Sequence, residues 1–99
     1  MTTPGYVLSR AVEHDLAHVF DWIARETGPH AAEGALRRIG RKFEMLAEAP
    51  SVGRVRGDLA GAPRTFAVWP WIIFYAPLTD GAGVLILRVL DGRRDLQRR

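Results

Sequence analysis

The chain has 99 residues, a net charge of +3 and no cysteine, which excludes a disulfide framework and any thiolate metal site. One domain over residues 1–99 is expected. Its apolar runs stay far below the roughly 20 residues of a membrane span, and MTTPGYVLSRAVEHD has no basic stretch feeding an apolar one, so a cytoplasmic protein without membrane contact is expected.

The charge is unevenly placed. Residues 1–49 carry six basic and seven acidic side chains; residues 50–99 carry eight arginines and four acids. The second half is an arginine surface suited to carboxylate or phosphate partners.

In chain order, Tyr6-Val7-Leu8 reads as a short strand. Ser9 is placed to cap a helix, with Glu13 and Asp15 near its first turn. Val12, Leu16, Val19, Phe20 and Ile23 fall within an arc of roughly 100°, with His14, His18, Asp21 and Arg25 opposite, and the helix ends near Glu26. Gly28-Pro29 starts a second helix. Its apolar arc is Ala32, Ala35, Leu36, Ile39, Phe43 and Leu46, and Ala49-Pro50 ends it. The short connection makes an antiparallel helical hairpin.

Residues 50–63, rich in Gly and Pro, read as a loop. Arg64–Val68, Trp71–Tyr75 and Val84–Leu90 then read as strands joined by turns at Trp69-Pro70 and Pro77–Gly83. The expected fold is α+β, in the order β-α-α-β-β-β, with the helical hairpin on one face of a small, largely antiparallel sheet. Strict alternation in the last strand puts Leu85, Leu87 and Val89 on one face and Val84, Ile86, Arg88 and Leu90 on the other. Both faces are apolar but only one hairpin is available, so the second face is expected to meet a partner unless the 50–63 loop covers it.

Three stretches, in this order and spacing, resemble the ParE/RelE superfamily of type II toxins, ParE more than RelE. They are YVLSRAVEHDLAHVFDWIA, LAEAPSVGRVRGDL, and RTFAVWPWIIFYAP followed by VLILRVLDGRRD. The resemblance implies a toxin neutralised by a cognate antitoxin, ParD-like and built on a ribbon-helix-helix, which alone touches DNA and whose C-terminal segment wraps the toxin. It also implies DNA gyrase as the target, inhibited by direct binding. The alternatives are a RelE-like ribosome-dependent mRNA endonuclease and an inactive module that only binds antitoxin.

Cleavage of RNA through its 2′-hydroxyl needs cations at the phosphate and a proton donor or acceptor. Arg64, Arg88, Arg93 and Arg94 could supply charge, but residues 76–99 hold neither His nor Tyr. The family often has His where this chain has Asp91. No catalytic residue and no cofactor are therefore assigned. The surface expected to meet target or antitoxin comprises Trp22, Arg54, Arg56, Arg64, Arg88, Arg93, Arg94 and Asp95. Arg88, inside an apolar strand, requires a partner such as Asp91, Asp95 or a loop carbonyl. Trp22 packs either on the second helix or on the antitoxin. Residues 14–18 (HDLAH) differ by one residue from a zinc motif. Asp in place of the general base and the lack of a third ligand argue against a metal, and none is assigned. GRVRGD, residues 53–58, lacks the features of a phosphate cradle and reads as a loop.

Overall fold

The computed structural model describes residues 5–79 and 81–93. Strand β1 (Gly5–Leu8) leads into helices α1 (Arg10–Glu26) and α2 (Pro29–Glu48). A single 3-10 turn at Pro50–Val52 precedes β2 (Arg54–Val55), β3 (Arg64–Val68), β4 (Trp71–Pro77) and β5 (Gly83–Asp91). The strands form one sheet in the order β1-β5-β4-β3-β2. β1 runs parallel to β5 and every other pair is antiparallel. The molecule is a slab of 40 × 38 × 21 Å. Its short dimension matches one helical layer on one sheet, since packed layers lie about 10 Å apart.

Each helix begins where its sequence directs. The Ser9 hydroxyl accepts from the Val12 amide at 3.1 Å and donates to the Leu87 carbonyl at 2.9 Å, so the α1 cap also ties the helix to β5. Glu13 lies in the first turn and Arg25 in the last, each favourable to the helix dipole. Pro29 opens α2, where its missing N–H costs nothing. The buried residues of α2 are Ala32, Ala35, Ile39, Phe43, Leu46 and Ala47. This face closes on Val68, Trp71, Ile73, Tyr75, Val84, Ile86 and Val89 of the sheet, with Leu16, Val19 and Ile23 of α1 packed at the margin.

Two features depart from the sequence reading. The 50–63 stretch is not wholly loop, because Arg54 and Val55 pair with Thr65 and Arg64 as an added edge strand. The Tyr75 hydroxyl pins the approach, accepting from the Gly53 amide and donating to the Pro50 carbonyl, both at 2.8 Å. Glycine is required at 53: a Cβ there would lie 2.7 Å from Tyr75 Cε1 and 2.8 Å from the Thr65 carbonyl oxygen.

The alternation in β5 is also broken. Phe74 pairs with Arg88 but Tyr75 pairs with Ile86, so Leu87 is an extra residue in the strand. The bulge moves every later side chain to the other face. Val84, Ile86 and Val89 consequently share the buried helix face, whereas strict alternation had separated Val89 from the other two. On the sheet's other face no described helix lies. There Ile72 and Leu85 are half-buried and Phe74 is buried, while Val7 is 52% exposed.

Candidate functional site

β1 ends at Leu8, but β5 continues to Asp91. The second half of β5 would therefore be an open sheet edge with unpaired amides. Helix α1 runs along that edge and closes it with Asp15. The Asp15 carboxylate accepts from the Val89 amide at 2.9 Å and from Arg88 Nε and Nη2 at 2.7 and 2.9 Å. Arg88 thus has the internal carboxylate its position demands. The partner is Asp15, far away in sequence, rather than Asp91. Asp91 instead binds Arg93, accepting from its backbone amide at 2.8 Å and from its guanidinium at 3.0 and 3.2 Å. That hydrogen bond raises the Arg93 pKa above its usual value.

Between α1 and this part of β5 lies a cleft of about 610 Å³, within the range of small-ligand and anchor-residue sites. One wall is a stripe of α1: His14, His18, Trp22 and Arg25, with Asp15 and Val19 beside it. The other wall is Arg88 to Asp91, and Trp71 closes the space. Trp22 is 41% exposed. The Arg93 guanidinium carbon sits 5.9 Å from its ring centroid, within cation–π range. Trp22 therefore packs beneath Arg93 at the rim of the cleft. Trp71 is 7% exposed and takes Arg38 of α2 over its ring at 5.7 Å. Trp69, in the β3–β4 turn, is 66% exposed.

The sequence-selected surface residues separate into two groups. Trp22, Arg88 and Arg93 meet at the cleft. Arg54, Arg56 and Arg64 lie at the β2 edge of the sheet, with three strands between β2 and β1. Arg64 donates to the carbonyls of Ser51 and Gly53, at 3.3 and 2.8 Å, and so braces the turn into β2. Arg56 forms a two-point pair with Asp58 at 2.9 and 2.7 Å. That hydrogen bond, first among the causes, lowers the Asp58 pKa from 3.8 to about 2 and raises that of Arg56. Arg54 is exposed. Arg94 and Asp95 lie outside the described residues.

His14, Asp15, His18, Arg25 and Trp71 were not selected from the sequence. The spacing of positions 14, 18, 22 and 25 does mark one helical stripe, but nothing local says that it faces β5. The arginine-rich end of the chain has no His in its own sequence, yet folding brings His14 and His18 to the cleft that Arg88 lines. Asp15, the second residue of the zinc-like HDLAH stretch, is committed to Arg88 and Val89. Among the described residues no group of three His, Cys, Asp or Glu is placed to hold a metal.

A family model described as "ParE toxin of type II toxin-antitoxin system, parDE" matches residues 6–96. The chain belongs to the ParE toxin family. It is 40% identical over 90 residues to Toxin ParE3 of Caulobacter vibrioides, covering 91% of this chain and 88% of that one. The fold is similar to a solved chain of the chromosomal ParDE TA system from P. aeruginosa. The TM-score is 0.72 at 22% identity, over 88% of this chain and 94% of the other. As a ParE toxin, the chain is one half of a type II toxin–antitoxin pair and has an antitoxin as partner. Among the described residues no helix is long and apolar enough to cross a membrane.

Proposed function

We propose that this ParE toxin acts in the cytoplasm by binding DNA gyrase and inhibiting it without bond-breaking chemistry of its own. A ParD-like antitoxin neutralises it and supplies the contact with DNA. Family membership across residues 6–96 supports the target. The observation that carries the mode of action is the commitment of the arginines at the end of the sheet. Arg88 is held by Asp15 and Arg93 by Asp91. A carboxylate beside each guanidinium opposes a phosphodiester there, whereas a protein surface can use both charges. Purified toxin is expected to block supercoiling by gyrase, or to trap its cleaved DNA complex, at toxin concentrations that leave ribosome-bound mRNA intact. Unchanged supercoiling and unchanged DNA cleavage by gyrase would remove this reading.

A second reading, a ribosome-dependent mRNA endonuclease, draws on one observation: His14 and His18 face the wall that holds Arg88. It expects codon-phased cuts in ribosome-bound mRNA, lost in both His18→Ala and Arg88→Ala.

A further inference from the structure

The chain holds three histidines, and the fold places them differently. His30 lies in the first turn of α2, away from the cleft. His14 and His18 lie on one face of α1, four residues apart, and both line the cleft opposite Arg88. Both are exposed. Among the described residues neither imidazole has a hydrogen-bond or ion-pair partner.

Two such rings one helical turn apart have the geometry of a chelate. Residues at i and i+4 carry Cβ atoms about 5–6 Å apart. A transition metal holds each imidazole nitrogen at about 2.0–2.1 Å, which sets the two nitrogens about 3 Å from one another. The side chains need only lean together to meet that spacing. Each neutral ring offers one nitrogen with an unshared lone pair. The helix has already fixed both starting points, so the second ring binds at high effective concentration.

Residues 14–18 therefore keep the ligand half of the zinc motif they resemble. Asp15 in place of Glu removes the general base of a hydrolase. The lack of a third protein ligand removes a closed structural site. Neither change removes a two-point site whose other positions are filled by water.

The charges around the pair admit a cation. Arg88 is paired with Asp15 and Arg93 with Asp91, so those four charges cancel. Arg10 and Arg25, exposed on α1, lie four residues before His14 and seven after His18, about 6 and 10 Å along the axis. Salt screens part of their repulsion, and the exposed acids Glu13 and Asp21 on the same helix oppose it.

We infer that His14 and His18 form a two-point chelating site for a divalent transition-metal ion on the α1 wall of the cleft. Imidazole donors suit copper, nickel and zinc, with copper bound most tightly, whereas magnesium and calcium prefer oxygen ligands and are not held. Water fills the remaining coordination positions, which open to the cleft. The two rings are in register only while α1 is helical, so the ion stabilises the folded toxin. The site depends neither on gyrase as the target nor on the nature of the antitoxin.

The test uses the full-length toxin without an affinity tag, at about pH 7.5, above the range in which free imidazole titrates. Copper sulfate, nickel chloride, zinc chloride and magnesium chloride are titrated in turn by calorimetry. A single saturable site per chain is expected for the first three salts and none for magnesium. His14→Ala and His18→Ala are each expected to weaken zinc binding at least about 10-fold, because a lone imidazole loses the advantage of its neighbour. His30→Ala is expected to match wild type. Saturating zinc is expected to raise the thermal midpoint by about 3 °C or more in wild type and His30→Ala, and not in the other two variants. Nitrogen NMR of the histidine rings is expected to place the zinc-induced shifts on His14 and His18 and to leave His30 unmoved. Circular dichroism establishes that each variant keeps its helices, so that lost binding is not lost fold.

Wild-type toxin without saturable zinc binding would overturn the inference, as would zinc affinity unchanged in both His14→Ala and His18→Ala. Zinc-induced shifts centred on His30 would do so as well. A stoichiometry of one ion to two chains, with a dimer seen in sedimentation, would replace the chelate by a bridge between copies. Stabilisation by magnesium equal to that by zinc would reduce the effect to a general response to divalent charge and remove the site.

Discussion

Asp15 on α1 closes the open edge of β5 by accepting at once from Arg88 Nε at 2.7 Å and from the Val89 amide at 2.9 Å. The two bonds are unequal in consequence. The Asp15 side chain is 11% exposed and that of Arg88 is 48% exposed. Asp15→Ala strands a backbone donor at a half-buried edge and is expected to cost about 2–3 kcal/mol. Arg88→Ala leaves the amide satisfied and removes a half-solvated pair, so about 1 kcal/mol or less is expected. Urea denaturation of the two single variants and the double variant measures both values and their coupling.

The Tyr75 hydroxyl both accepts from Gly53 and donates to Pro50 in a buried setting. Tyr75→Phe keeps the ring and strands the Gly53 amide, for an expected loss of about 1–3 kcal/mol. Gly53→Ala forces a methyl group against the Tyr75 ring and the Thr65 carbonyl and is expected to cost more than Tyr75→Phe. The double variant should lose less than the sum, since both changes break the same contact. Thermal midpoints of the three proteins settle the order.

Gly83 has φ 123°, a conformation that side-chain-bearing residues rarely adopt. A Cβ there would also run into the backbone of Gly5, its partner across the parallel β1–β5 pair. Gly83→Ala is expected to destabilise by more than about 3 kcal/mol. Amide exchange should show protection lost first in β1. Protection in β1 unchanged from wild type would refute this account of Gly83.

Arg56 holds Asp58 ionised well into the acid range, its pKa lowered from 3.8 to about 2. Because the folded value lies below the ordinary one, the stabilisation is complete above about pH 4 and is lost as pH falls through about 2. The pair is exposed and its effect on total stability is small. The direct check is carbon NMR of the Asp58 carboxyl during acid titration. The midpoint is expected near 2 in the wild type and higher in Arg56→Gln, where only the backbone hydrogen bond and the Arg54 charge still lower it.

The helices were legible because their determinants are local. Ser9 as cap, Pro29 at the first turn of α2 and the arc from Ala32 to Leu46 all act within a few residues, and the structure uses each of them so. The strands from Arg64 to Val68 and from Trp71 onward were legible from their runs and the Pro70 turn. β2 was not, because two residues have no period to read and exist as a strand only through their pairing with β3. The Leu87 bulge was also hidden, since it is a property of register between β4 and β5.

The candidate site divides along the same line. Sequence alone determined that Arg88 sits in an apolar strand and so needs a carboxylate, that Trp22 stands at the flank of α1, and that cations crowd the end of the chain. It could not determine which carboxylate answers Arg88, nor that two histidines from the first helix share its cleft. Those facts follow from where β1 stops and α1 turns back along β5. A charge pair between residues 15 and 88 depends on packing across the whole chain, and no local pattern encodes such a distance.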